Sequence, residues 1–249
     1  MEPDKTRNLA AKVVAIGLIS IFGGAGLATG CKASNRGNEK EAPEIEVVDV
    51  SNVEADKAEI MGSWKPAEDQ TVTGAQREIF EKAMENLVGA KHEPVAYLAS
   101  QIVSGTNHCF LAKSTTVRPG AAPRYTLVYI YEDLSKNVQL LNIEDLELPG
   151  TKGDKAPLGG FTFCEDPAIT PALAAVVDKA SQSKLGAEYK PVANIGSQVI
   201  NGTNHVVLCK ITATTPGNAG RFALVQIRET VDGKCDITEV TDLDISAVK

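Results

Sequence analysis

Histidine is scarce in this chain. Its 249 residues hold three, His92, His108 and His205, and none has a second histidine or a Cys-x-x-Cys pair beside it. A histidine held by neighbours in a strand is commoner in that setting than a ligand or a base. No phosphate-binding glycine loop and no nucleophile motif appears. These absences point away from an enzyme, and no metal or cofactor is expected. Basic charge is short as well. Lys and Arg number 25 against 32 Asp and Glu, for a net charge of -7 and a pI near 5.1. A nucleic-acid partner would want a clustered basic face, and this balance argues against one. Tryptophan occurs once, as Trp64. Of five cysteines, Cys31 stands apart near the N-terminus; the other four are Cys109, Cys164, Cys209 and Cys235.

The first thirty residues read as an export signal rather than as part of a fold. Lys5, Arg7 and Lys12 precede an uncharged run from Val13 to Gly30, and Cys31 follows at once. A charged start, an apolar middle and small residues before a boundary are the marks of such a signal. The run is also near the lower limit for a single membrane-spanning anchor. Ala28, Thr29 and Gly30 directly before Cys31 resemble the bacterial lipoprotein signal. That resemblance implies cleavage before Cys31 and lipid on its thiol. The expectation is an exported protein, anchored in a membrane at the cell surface or in the periplasm. Residues 31–58 are polar and acidic and read as a disordered tether.

What the chain has in quantity is itself. Ser100–His108 reads SQIVSGTNH, and Ser197–His205 reads SQVINGTNH. Shifted by 97 residues, positions 62–148 align with 159–245 without a gap, at 31 identities in 87. The chain therefore carries two copies of one unit. The expected division is residues 59–148, a linker over 149–157, and residues 158–249. None of the four later cysteines is shared between the copies, so they are not a repeated disulfide framework.

Each copy opens with a predicted helix. Thr73 and Thr170 are candidate N-caps, Pro171 suits the first helical position, and Gly89 and Gly186 are the expected ends. The helical stripe in copy one is Ile79, Phe80, Ala83, Met84, Leu87 and Val88; in copy two it is Leu173, Val176, Val177, Ala180 and Leu185. Four strands follow, and a short strand near Gly62–Trp64 precedes the helix. Ala96, Leu98 and Ile102 stay apolar as Ala193, Ile195 and Val199, so this face is expected to meet the helix. Tyr97, Tyr129 and Tyr131 become Asn194, Gln226 and Arg228, so that face is expected outward. Period two with one constant face predicts an antiparallel sheet covered on one side, an α+β class. In such a meander the turn at Val103–Thr106 and the turn at Ser135, Lys136 and Asn137 share one edge. Gly105 and Gly202 supply the positive φ of a tight hairpin.

The hairpin fits Q-x-V-x-G through Gln101, Val103 and Gly105, with Ile102 and Ser104 between them. In this it resembles the cystatins, protein inhibitors of papain-like cysteine proteases. Copy two has Gln198, Val199, Ile200, Asn201 and Gly202. Gly159 and Gly160 resemble the glycine-bearing N-terminal segment of that family, where copy one has Gly62. The resemblance implies two cystatin-like domains, each one helix packed across a four- to five-stranded antiparallel sheet. It implies that glycine, hairpin and second loop form a wedge that fills a protease cleft without reacting. Two departures stand out. Cystatins carry Trp in the second loop, and neither matching loop here does; His108 and His205 stand where many have Tyr. The alternative is a non-inhibitory binding or structural lipoprotein, with Tyr97, Tyr129 and Tyr131 making an extra contact.

Overall fold

The computed structural model describes residues 62–148, 160–215, 217 and 219–246. Cys31, Gly159, the tether and the linker lie outside the described residues. No helix among the described residues is long and apolar enough to cross a membrane.

Copy one runs β1 (Trp64–Pro66), α1 (Gly74–Met84), β2 (Ala90–Val103), β3 (Gly105–Thr116), β4 (Arg124–Glu132) and β5 (Val138–Asp145). Copy two runs β6 (Thr162–Phe163), α2 (Pro171–Ser181), β7 (Ala187–Val199), β8 (Thr203–Ala213), β9 (Arg221–Glu229) and β10 (Cys235–Asp242). Each copy's strands pair with their sequence neighbours into one antiparallel sheet of five strands. The helices start where the caps predict. Thr73 closes a capping box with Gln76, and Thr170 accepts from the Leu173 amide ahead of Pro171. They stop earlier than Gly89 and Gly186, at Met84 and Ser181. Leu87, Val88 and Leu185 fall beyond the helices and are exposed.

The expected α+β class, two cystatin-like domains of helix over sheet, is corrected by this arrangement. The described structure is mostly β: two five-stranded sheets with two short helices, 13% helical. The physical reason is that the second face of each sheet is apolar too, and it is buried against the other sheet. Ala96, Leu98, Leu111, Leu127 and Tyr129 of copy one share a single core with Ala193, Ile195, Leu208, Phe222 and Leu224 of copy two. The helices cover the opposite faces. Phe80 packs with Tyr97, Phe110, Val128 and Ile130, while Val176 and Val177 pack with Val207, Val225 and Ile227.

Two face assignments change accordingly. Ala96 and Leu98 meet the other sheet, not the helix, and Tyr97 lies under α1. Tyr129, expected outward, is fully buried between the sheets. Ile102 and Val199 also leave the face of Ala96 and Ala193, because β2 is bulged between Pro94 and Ala96 and again between Tyr97 and Ala99, and β7 at the matching places. Each bulge inserts an unpaired residue and re-aims the side chains beyond it.

The inter-sheet contact is reciprocal. Lys113 reaches the Glu165 carbonyl of copy two, and Lys210, its equivalent, reaches the Ala67 carbonyl of copy one at 2.7 Å. Tyr125 Oη donates to the Cys164 carbonyl at 2.9 Å. Burial between the sheets pushes the phenols of Tyr125 and Tyr129 above their ordinary range, so both act as neutral donors.

Candidate functional site

The edge expected to hold the wedge does bring its parts together in copy one. Trp64 pairs with Gln101, which sets Gly62 beside the β2–β3 turn. Thr106 pairs with Glu132, which sets the β4–β5 turn on its other side. Ser104 is the whole turn between β2 and β3, with Val103 opposite Gly105.

The repeated phrase encodes this turn. Gln101 Nε2 donates to the Gly62 carbonyl at 2.7 Å, and Gln101 Oε1 accepts from Asn107 Nδ2 across the hairpin at 2.7 Å. Gln198 and Asn204 repeat the second of these bonds at 2.9 Å. Gly105 has φ +136, and a Cβ there would collide with the carbonyl oxygen of Glu132 and the Tyr131 ring. Gly202, at φ +116, stands in the same relation to the carbonyl oxygen of Glu229. Both glycines are thus needed for conformation and for close approach. Tyr131 Oη donates to the Ser104 carbonyl and braces the tip.

The histidines of the phrase lie just behind the turns. His108 is buried, with Nδ1 2.9 Å from Tyr97 Oη; its Nε2 has no hydrogen-bond partner, and Glu132 is 3.9 Å away. Burial holds the His108 imidazole below its ordinary value, against the opposing pull of Glu132. In copy two His205 Nε2 is 3.1 Å from Glu229 Oε2. Both lie at the base of their hairpins, and no group of His, Cys, Asp and Glu able to hold a metal occurs among the described residues.

The second loop is internally tied. Asp133 Oδ1 accepts from the amides of Ser135 and Asn137, and its Oδ2 from Asn137 Nδ2. These bonds hold the Asp133 carboxyl below its usual range. Lys136 takes φ +67 and reaches Glu132 at 3.1 Å. Copy two closes the matching loop with Thr230 N donating to the Lys234 carbonyl, as Asp133 N donates to the Asn137 carbonyl.

What this framework presents is apolar. Ile102 is 55% exposed, Val103 40% and Leu134 83%. Copy two presents Val199 at 79%, Ile200 at 51% and Val231 at 82%. Asn201 and Gly202 complete its turn, and Gly160 lies half-buried just ahead of β6. Leu134 and Val231 were not among the residues singled out from sequence. The signal was available: the two occupy the same repeat position, both apolar, in loops otherwise polar.

Compared with known protein families and with curated proteins, the chain matches no family model and no curated sequence.

Proposed function

We propose that the protein inhibits papain-like cysteine proteases by wedging an apolar edge into the active-site cleft. One observation carries this reading. In each copy two adjoining turns expose apolar side chains on a hydrogen-bonded frame: Ile102, Val103 and Leu134, then Val199, Ile200 and Val231. A single exposed apolar residue needs no explanation, but a cluster on one edge, repeated, is what an interface presents. A frame fixed before binding also loses little conformational entropy when it docks. The partner class comes from the resemblance of Gln101–Gly105 to the cystatin hairpin. Leu134 takes the loop in which that family carries Trp. A Trp hot spot contributes about 2 kcal/mol or more, so a smaller anchor implies modest affinity. The same reading has the protein exported and held at a membrane by lipid on Cys31, on the sequence of residues 1–31 alone.

The test is inhibition of several papain-like proteases by the parent, by Val103→Asp and by Leu134→Asp. A cleft that accepts Val103 offers a carboxylate no partner. Each variant should inhibit at least ~10-fold more weakly, about 1.4 kcal/mol, with an unchanged melting temperature. Absence of inhibition by the parent, or full inhibition by both folded variants, overturns the proposal.

A further inference from the structure

We infer that the chain holds two protease molecules at once, one at each end of the paired sheets. This rests on the inhibitory reading and adds its stoichiometry and geometry.

The argument starts from which parts of the two copies touch. Tyr129 lies in the half of its sheet nearest the wedge, and its hydroxyl meets the Asp244 carbonyl, which follows β10 at the end of copy two furthest from its own wedge. Gly196 lies in the wedge half of copy two, and a Cβ there would meet Leu148, which follows β5 at the far end of copy one. The lysine bridges agree. Lys113, toward the far end of β3, reaches Glu165, and Lys210 of β8 reaches Ala67. Every one of these contacts sets the far half of one sheet against the middle or wedge half of the other. The copies are therefore antiparallel, and their wedges point in opposite directions.

The remaining question is clearance. The two sheets approach where Val95 and Val192 line a common cleft. From there each hairpin runs to its tip at about 3.3 Å per residue, which separates the tips by up to about 50 Å. A globular partner of roughly 200 residues has a radius of gyration of about 17 Å. Two such molecules arriving from opposite ends do not meet. The chemistry of the second edge suits the same class of occupant. Ile200 stands where copy one has Val103, Val231 where it has Leu134, and the Gln198–Asn204 bond repeats Gln101–Asn107.

The experiment is light scattering on the full chain with increasing papain whose active-site thiol has been blocked. The expected mass at saturation is one chain with two papain molecules. Val103→Asp and Ile200→Asp should each reduce it to one, and the double variant to none. Val199→Lys serves as a second probe of the same edge. Its side chain is solvent-exposed, and melting temperatures verify the fold of every variant. Saturation at one papain, with Ile200→Asp and Val199→Lys both silent, overturns this inference and leaves the inhibitor reading intact. Loss of all binding from either single variant also overturns it, because the two edges would then form one site. No complex at any ratio, with papain or its relatives, overturns both.

Discussion

Leu98→Ala distinguishes one shared core from two separate ones. Leu98 is fully buried in β2, on the face that meets the other sheet, in a cluster built from both copies. Truncating such a leucine removes its transfer free energy and leaves a cavity, at a cost of ~2–5 kcal/mol. Even ~2 kcal/mol raises the globally unfolded population by roughly thirtyfold. Each copy carries its own reporter. Cys109 of copy one and Cys209 of copy two are both fully buried. Burial pushes the Cys209 thiol up to about 12 and raises Cys109 as well, so both are inert until opened. Pulsed thiol labelling across a urea series, read by peptide mass spectrometry, follows the two separately, and Trp64 fluorescence gives an independent trace for copy one. The expected outcome is one transition, with both thiols and Trp64 shifting together to lower urea in Leu98→Ala. A shift at Cys109 and Trp64 with Cys209 unmoved would refute the shared core.

Two further outcomes test the hairpin. Gly105→Ala should cost ~1–3 kcal/mol and weaken inhibition, since the φ and the Glu132 carbonyl both oppose a Cβ; Gly62→Ala, where a Cβ meets open space, should cost less. Equal melting temperatures would count against the close approach. His108 titrates below its ordinary value because it is buried, so the unfolded chain takes up its proton first. Stability should then fall as pH drops through about 6.5 toward the folded value. His92, lowered by the same cause, adds to the effect. Facing His108 are Tyr97, Glu132 and Lys136, and His108→Gln should flatten the dependence of melting temperature on pH between 7 and 5. An unchanged slope rejects this origin.

Much of the site could be read from the sequence because it is local. The caps at Thr73 and Thr170, the glycines at 105 and 202, and the shared edge of the two turns follow from residue type and meander order. Leu134 is less legible because a single apolar residue in an otherwise polar turn is ordinary on a protein surface. The face assignments failed for a different reason. Period two says which residues share a side, as Ala96 and Leu98 do, but not that both sides of the sheet are covered; in β2 and β7 the bulges also part Ile102 and Val199 from that side. The class failed because apolar constancy marks burial without naming the partner. Ala96 and Leu98 are buried as expected, beneath a sheet rather than a helix.

The comparison of the copies nevertheless contains the partner, once the two faces are separated. Between the sheets the matching positions stay nearly the same: Ala96 and Ala193, Leu111 and Leu208, Leu127 and Leu224, Leu146 and Leu243. Lys113 and Lys210 are equivalent, as are Glu68 and Glu165 near which they end. Under the helices Val128 and Val225, and Ile130 and Ile227, are likewise kept, while other positions diverge. Phe80 answers to Val177, Tyr97 to Asn194, Phe110 to Val207 and Ala112 to Cys209. The difference has a physical cause. A helix face must fit only its own sheet, so Phe80, Tyr97 and Phe110 repack together without reference to copy two. In a two-fold contact each position serves in both halves of the interface, and a change in one copy is felt by the surface of the other. Cys109 and Val206, and Tyr129 and Gln226, are exceptions. Tyr129 reaches Asp244, whereas Gln226 turns to Glu239 on its own edge strand. The largest replacements under the helices, at Phe80, Tyr97 and Phe110, are thus accommodated within one copy. The equivalent lysines reach across in both directions, so the same contact is made twice, once from each copy.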